Sequence, residues 1–453
     1  MADMRKHILI FGGILILVAA AILFYLTRPD RARYEVEAVM GAQPKIASPR
    51  VQTIPTVRVA KAIGWPEGQM PTAAQGLTVR PFASGLDHPR WMYRLPNGDV
   101  LVAETNSPPR EEGGIQNWVM KKLMGRAGAS TPSANRITLL RDADGDGVAE
   151  ARSVLLEGLN SPLGMALVGG YLYVGNTDAL VRFPFQVGQT RITAPAEKIV
   201  DLPAAGNHWT RNIIASEDGR FIYVAVGSDS NIGEKGLDRE ANRAAILEVD
   251  IANKSLRPYV TGIRNPVGMA IEPRTGALWT VVNERDMLGS DGPPDYLTRV
   301  QFGNYYGWPH SYWGGYVDER VEPKRLDLRE YAARPDYALG AHTASLGLAF
   351  ANDARLGGPF GRGAFIGQHG SWNRVPPSGY KVVFVPFGEN GFPVRGQLPI
   401  DVLTGFLNAE GQAMGRPVGV ITDQRGALLV ADDVGNVIWR VSGATTERIR
   451  SAE

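Results

Sequence analysis

The chain contains no cysteine in 453 residues. That removes disulfides, thiolate nucleophiles, covalently attached c-type haem and cysteine-held iron–sulfur clusters. Histidine is scarce too, with six in the whole chain. None stands in an H-E-x-x-H pair, which argues against a helix-borne catalytic zinc. No G-x-S-x-G elbow occurs, and no glycine-rich phosphate loop leads into a helix. Charge of one sign is also lacking. The 48 basic and 46 acidic residues leave a net charge of +2, so nothing points to a nucleic-acid partner. Long amphipathic helices are hardly visible. Glycine (53) and proline (31) are plentiful instead, as in a chain of short strands joined by turns.

One long hydrophobic run breaks this pattern. "MADMRKH" leads into "ILIFGGILILVAAAILFYL" (8–26), which carries no charge. Its length suits a helix crossing a bilayer. A cleaved signal peptide is the rival reading, since Ala19, Ala20 and Ala21 would suit a peptidase. The apolar run continues past them, which favours an uncleaved transmembrane anchor over residues 1–27. Basic residues flank both ends, so orientation is not decided by charge. Residues 28–76 lack periodicity and read as a tether. A folded domain is expected over 77–445, facing the periplasm if the anchor lies in an inner membrane, or secreted there after cleavage.

Within that domain one phrase recurs: a turn corner, an alternating strand, a tight turn and a second strand. It reads "GLDHPRWMYRLPNGDVLVAET", "GLNSPLGMALVGGYLYVGNT", "GNHWTRNIIASEDGRFIYVAVGS", "GIRNPVGMAIEPRTGALWTVVNE", "AHTASLGLAFANDARLGGPFGRGAFIGQ" and "GRPVGVITDQRGALLVADD". A further strand follows each copy. The turns "PNGD", "EDGR", "PRTGA" and "DQRGA" place Gly, Asn and Asp where hairpins need positive φ. Six antiparallel units predict an all-β fold, a six-bladed β-propeller. The sixth copy ends near Val441 without an outer strand, and "LTVRPFASG" (77–85) has the pattern to supply it. A short helix is expected around Trp118–Met124 in a long loop of the first unit.

In a propeller the corner before each innermost strand lies at one mouth of the central channel. These corners carry Asp87-His88, Asn160-Ser161, Asn207-His208, Arg264-Asn265, His342-Thr343 and Arg416. Polar groups from six distant segments thus converge on one opening, which is the default place to look for a site. A mouth rich in Arg and His suits an anionic ligand, and a histidine is a natural general base there. Two acidic stretches suggest Ca²⁺. "DADGDG" spaces Asp142, Asp144 and Asp146 as in the first half of an EF-hand loop, although Ser153 stands where the closing Glu belongs. Glu284, Asp286, Asp291 and Asp295 lie in a long loop after an inner strand, and hard oxygen ligands of that kind also suit calcium.

Taken together, "GNHWTRN", "GIRNPVGMA", "NERD…PDYLT", "YGWP", "HGSWNR" and "GRPVG…GALLVADD" resemble the quinoprotein sugar dehydrogenases, and the sorbosone-type branch more than the soluble glucose enzymes. The resemblance covers roughly 77–441. It implies a six-bladed propeller binding pyrroloquinoline quinone (PQQ) and Ca²⁺, oxidising a sugar or sugar-derived aldehyde, with electrons leaving to a separate cytochrome or quinone. It implies that His208 is the general base. It places Arg264 and Asn265 against the quinone oxygens and Arg416 on a cofactor carboxylate. Glu284, Asp286 and Asp295 fall where the family builds its calcium loop. Two departures stand out. Arg285-Asp286-Met287 replaces a Gly-Pro pair whose carbonyls hold the cofactor calcium. "QHGSWNR" replaces a lysine, with His369 or Arg374 as its substitute. A calcium-dependent lactonase-like hydrolase and a non-catalytic propeller scaffold are the alternatives.

Overall fold

The computed structural model describes residues 2–52, 55–109, 122–204 and 206–444. Six antiparallel sheets succeed one another along the chain. Blade 1 comprises Pro89–Arg94, Val100–Glu104, Arg136–Arg141 and Ala151–Leu156. Blade 2 is Met165–Val168, Tyr171–Gly175, Ala179–Pro184 and Glu197–Asp201. Blade 3 is Ile213–Ala215, Phe221–Val226, Ala245–Asp250 and Ser255–Thr261. Blade 4 holds Pro266–Ile271, Leu278–Val282, Pro294–Arg299 and Tyr337–Ala341. Blade 5 holds Ser345–Phe350, Gly363–Gln368, Lys381–Pro386 and Ile400–Thr404. Blade 6 takes Pro417–Thr422, Leu428–Asp432 and Val437–Gly443 from the C-terminal end, and Leu77–Ser84 as its outer strand. That strand pairs antiparallel with Val437–Gly443, from Leu77 opposite Gly443 to Ser84 opposite Val437. The ring closes as the sequence predicts.

There is no single core. Apolar side chains gather in six clusters, one at each interface between neighbouring blades. Strand periodicity explains this. Leu172 and Val174 face blade 1, while Tyr173 between them faces blade 3. Leu428 and Val430 face blade 5, while Leu429 and Ala431 face blade 1. Both faces of each middle strand are buried, so these strands read as continuous apolar runs. The glycine repeated within the corner phrase also has a cause. A Cβ on Gly268 would lie 2.6 Å from the Leu346 carbonyl oxygen, and one on Gly347 only 2.1 Å from that of Val418. Inner strands crowd around the axis and leave no room for a side chain.

Two expectations are corrected by the structure. The run 8–26 is helical, within α1 (Ala2–Thr27), but the transmembrane anchor is not supported. Among the described residues no helix is long and apolar enough to cross a membrane. Residues 28–76 are not a free tether. They run as a strap over the propeller. Met40–Gly41 adds a fifth strand to blade 4, and Thr72–Ala73 adds one to blade 5. Sequence periodicity is silent there because the strap is held by individual polar contacts. Asp291 accepts hydrogen bonds from the Arg33 and Tyr34 amides and pairs with Arg50, while Asp30 accepts from the Ser290 amide at 2.7 Å. Of the helix expected at Trp118–Met124, residues 122–126 are helical, and the rest lies outside the described residues.

Candidate functional site

Strand order decides which loops share an end of the propeller. Connections between blades, and those from second to third strands, emerge together. First-to-second and third-to-fourth turns emerge at the opposite end. The six polar corners therefore share their end with residues 105–109, 127–135, 176–178, 227–244, 283–293, 369–380 and 433–436.

His208 lies on this end in the approach to blade 3. Its Nδ1 is 2.8 Å from the Ser228 carbonyl oxygen and 3.2 Å from Ser228 Oγ. A carbonyl only accepts, so Nδ1 carries a proton, and in the neutral ring Nε2 is then the basic nitrogen. Beneath the residue, Arg211 is wholly buried and donates to the carbonyls of His208, Thr210 and Pro203, which fixes the turn. Asn265 stands beside His208 across Gly227. A Cβ on Gly227 would sit 2.3 Å from Asn265 Oδ1 and 2.5 Å from His208 Cβ. The glycine is what lets the two approach. Asn265 is 7% exposed, and its Oδ1 is buried without a hydrogen-bond partner.

Arg264 is also buried. Its guanidinium donates to the carbonyls of Asn231, Asn283 and Glu284 and to Asn231 Oδ1, and it lies 3.5 Å from Asp286. Asp286 accepts from Asn373 Nδ2 at 2.7 Å and stands 3.6 Å from His342 Nδ1. Burial would raise this carboxyl, but His342, Arg264 and Asn373 outweigh it and hold it at about 2. Burial opposes the charge on His342 as well, yet Asp286 raises its pKa above the ordinary value. Each partner thus favours the charged form of the other.

A second polar hub faces blades 5, 6 and 1. Asp433 accepts from His369 Nε2 and Arg90 Nη1, both at 2.8 Å, with His88 Nε2 3.5 Å away. Burial works against the Asp433 charge, but these neighbours outweigh it and keep the carboxyl below its usual range. Burial, with Arg416 nearby, pushes His369 down to about 3, so its ring is neutral and Nε2–H donates. Arg416 donates to the carbonyls of His369 and Gly370, and Tyr380 lies beneath its guanidinium. Arg374 is placed elsewhere than expected: it bonds the carbonyls of Ser290, Pro376 and Tyr34, and so ties the strap to blades 4 and 5.

The carboxylates expected to hold calcium at this mouth are not brought together. Glu284 is taken by Arg285 at 2.9 Å, Asp286 by His342 and Asn373, and Asp291 by the strap. Asp295 accepts from the Glu284 amide and from Thr343, while burial pushes its carboxyl up to about 6. The sequence shows the carboxylates of this loop but not the arginines and amides folded against them. The other acidic stretch does assemble. Asp142, Asp144 and Asp146 offer oxygens within 4.8 Å of one another, with Glu150 as a fourth. Glu150 is the ninth residue counted from Asp142, a known ligand position in such loops and the signal the closing-Glu test overlooks. This loop joins the third and fourth strands of blade 1, at the end opposite His208.

A family model described as TrAA12-like matches residues 71–294 and 327–444. The chain belongs to the TrAA12-like family. An uncharacterized protein of Borreliella burgdorferi is 28% identical over 235 residues, 52% of this TrAA12-like chain and 60% of that protein. The pyrroloquinoline quinone-dependent pyranose dehydrogenase of Coprinopsis cinerea is 28% identical over 227 residues, 40% of this chain and 30% of that enzyme. The chain thus spans less than two thirds of either relative. The holo PQQ domain of the Coprinopsis cinerea pyranose dehydrogenase superposes with a TM-score of 0.66 at 20% identity, covering 85% of this chain and all of that domain. That likeness shows the shared fold. Between its two segments the TrAA12-like match omits 295–326, which complete the third strand of blade 4 as far as Arg299 and then begin the long excursion that returns at Tyr337.

Proposed function

We propose that the protein is a PQQ-dependent dehydrogenase that oxidises a sugar, or a sugar-derived aldehyde of the sorbosone type, and passes the electrons to a separate cytochrome or quinone in the periplasm. The observation that carries this reading is the meeting of His208 with Asn265, the residue after Arg264, across Gly227. The donor set fits a planar tricarboxylate. Arg264 supplies positive charge at the mouth, Arg416 adds a second guanidinium, and Arg90 has a buried Nε without a partner among the described residues. The unpartnered Asn265 Oδ1 adds a polar group with capacity to spare.

When bound, PQQ supplies a two-electron acceptor for hydride from the substrate carbon. His208 Nε2 takes the hydroxyl proton as that hydride leaves. Ser228 holds the imidazole in the required tautomer through Nδ1–H. The Asp286–His342 pair fixes the loop beside Arg264. Calcium is assigned to Asp142, Asp144, Asp146 and Glu150, where it serves stability, because that loop lies at the far end from the base.

The test is reconstitution of the full chain with PQQ and Ca²⁺, then a panel of sugars and sugar-derived aldehydes with an artificial electron acceptor. Dye reduction that requires PQQ is expected. Lactone hydrolysis without PQQ would replace this reading with the hydrolase. Neither activity, together with no PQQ binding, would leave a scaffold.

A further inference from the structure

Residues 295–326 fall outside the TrAA12-like match, yet they contribute buried side chains directly behind the mouth. Trp308 is 4% exposed, and its indole Nε1 donates to the Asn231 carbonyl oxygen at 3.0 Å. That same oxygen accepts from Arg264 Nε at 3.2 Å. Asn231 Oδ1 then accepts from both Arg264 Nη2 and the Asp286 amide, each at 2.9 Å. Asn231 is the joint between the excursion and the site. A second contact comes from Arg320, whose Nη1 donates to the Asp286 carbonyl oxygen at 2.9 Å. Arg320 is held in a two-pronged grip by Asp318, at 2.8 and 2.7 Å. Such a fork leaves the guanidinium little freedom.

We propose that Trp308 and Arg320 are positioning residues: through Asn231 and the Asp286 backbone they set the place of the Arg264 guanidinium, and hence the affinity of the mouth for PQQ. This rests on the reading of Arg264 as a cofactor contact. Trp308 and Arg320 themselves touch no reacting atom. Every nitrogen of Arg264 is already bonded to protein, so its position follows its acceptors. Loss of the indole N–H leaves the Asn231 peptide to rotate, and Arg264 loses two acceptors at once.

The experiment is equilibrium dialysis of the full chain against PQQ with Ca²⁺, on wild type, Trp308→Phe, Arg320→Lys and Arg264→Ala. Trp308→Phe keeps an aromatic six-membered ring in the buried position and removes the indole donor. Each positioning variant is expected to weaken PQQ binding by about 5–10-fold, the loss of one buried hydrogen bond. In the Arg264→Ala background Trp308→Phe is expected to add less than about twofold, because the two act as one unit. Full additivity, or wild-type affinity in both positioning variants while Arg264→Ala binds weakly, overturns the proposal. Wild-type affinity in Arg264→Ala would instead overturn the cofactor reading. Amide exchange of the PQQ-free protein then decides alone. The Asp286 amide should exchange faster in Trp308→Phe, and an unchanged rate overturns positioning whatever the cofactor does. Arg320→Lys provides the same readout if Trp308→Phe does not fold.

Discussion

At the scale of single residues, the mouth separates chemistry from support. His208→Ala should lower turnover by roughly 10²–10⁴-fold, the usual contribution of a general base, and leave PQQ affinity near wild type. Stopped-flow reduction of bound PQQ by substrate measures this, and an unchanged reduction rate would move the base elsewhere. The Asp286–His342 pair gives a pH signature. The Asp286 pKa is lowered from 3.8 to about 2, so its contribution, roughly 2 kcal/mol, is present above pH 4 and disappears as pH falls through 2. His342 is raised above 6.5, so its share is complete below that value and is lost as pH climbs through the folded pKa. Ionisation of Asp295, raised from 3.8 to about 6, removes stability between those two values, before His342 titrates. Melting temperature should therefore peak at about pH 4, above the Asp286 rise and below the Asp295 and His342 losses. Asp286→Asn should flatten the alkaline side of that curve as His342 loses its partner, and an unaltered curve would show that the pair does not titrate as described. His208, Arg264 and Asn265 were legible because they sit in a repeated corner whose place the fold fixes. Gly227, Ser228, Asn231 and Asn373 were not, because they meet the site from strands and loops far away in sequence and carry no periodic signal.

At the scale of elements, strands were the most readable part. Their alternation, their turns and the recurring glycine all follow from blades packed face to face around an axis. The strap was unreadable for the opposite reason. Its hold on the propeller depends on a few polar anchors, and a sequence does not reveal which distant amide an aspartate will accept. Asp291 is the main anchor. Its buried carboxylate receives two strap amides and Arg50. Asp291→Ala leaves those donors without an acceptor and should cost about 2–3 kcal/mol. Limited proteolysis should then cut within residues 28–58 first, and a wild-type cleavage pattern would show that the strap is held by other contacts.

At the scale of the whole molecule, stability is shared among six interfaces, and the 142–150 loop lies on the seam where blade 1 meets blade 6. The Ala149 amide donates to the Phe82 carbonyl oxygen at 2.8 Å, and Arg80 reaches the Asp146 carbonyl. A cation bound to the loop would fasten this seam. With Ca²⁺ at about a hundred times its dissociation constant, binding adds about 2.7 kcal/mol to the native state. Exhaustive chelation should lower the melting temperature by a few degrees, and Glu150→Gln should make the protein insensitive to the chelator. A melting temperature unaffected by chelator in the wild type would leave these carboxylates as solvated surface.

The seam also orders events in time. Leu77–Ser84 is made more than 350 residues before its partner strand Val437–Gly443 and has to wait for it. Until then the waiting strand carries an unpaired edge, the kind of surface that recruits other chains. Pairing across so long a stretch is slow, because the loop entropy must be met before any contact rewards it. Nascent chains should therefore depend on chaperones until residue 443 has emerged, and ribosome-stalled fragments ending before residue 437 should be far more protease-sensitive than the released protein. The same delay makes closure a checkpoint: a chain truncated short of its closing strand exposes its own defect to quality control.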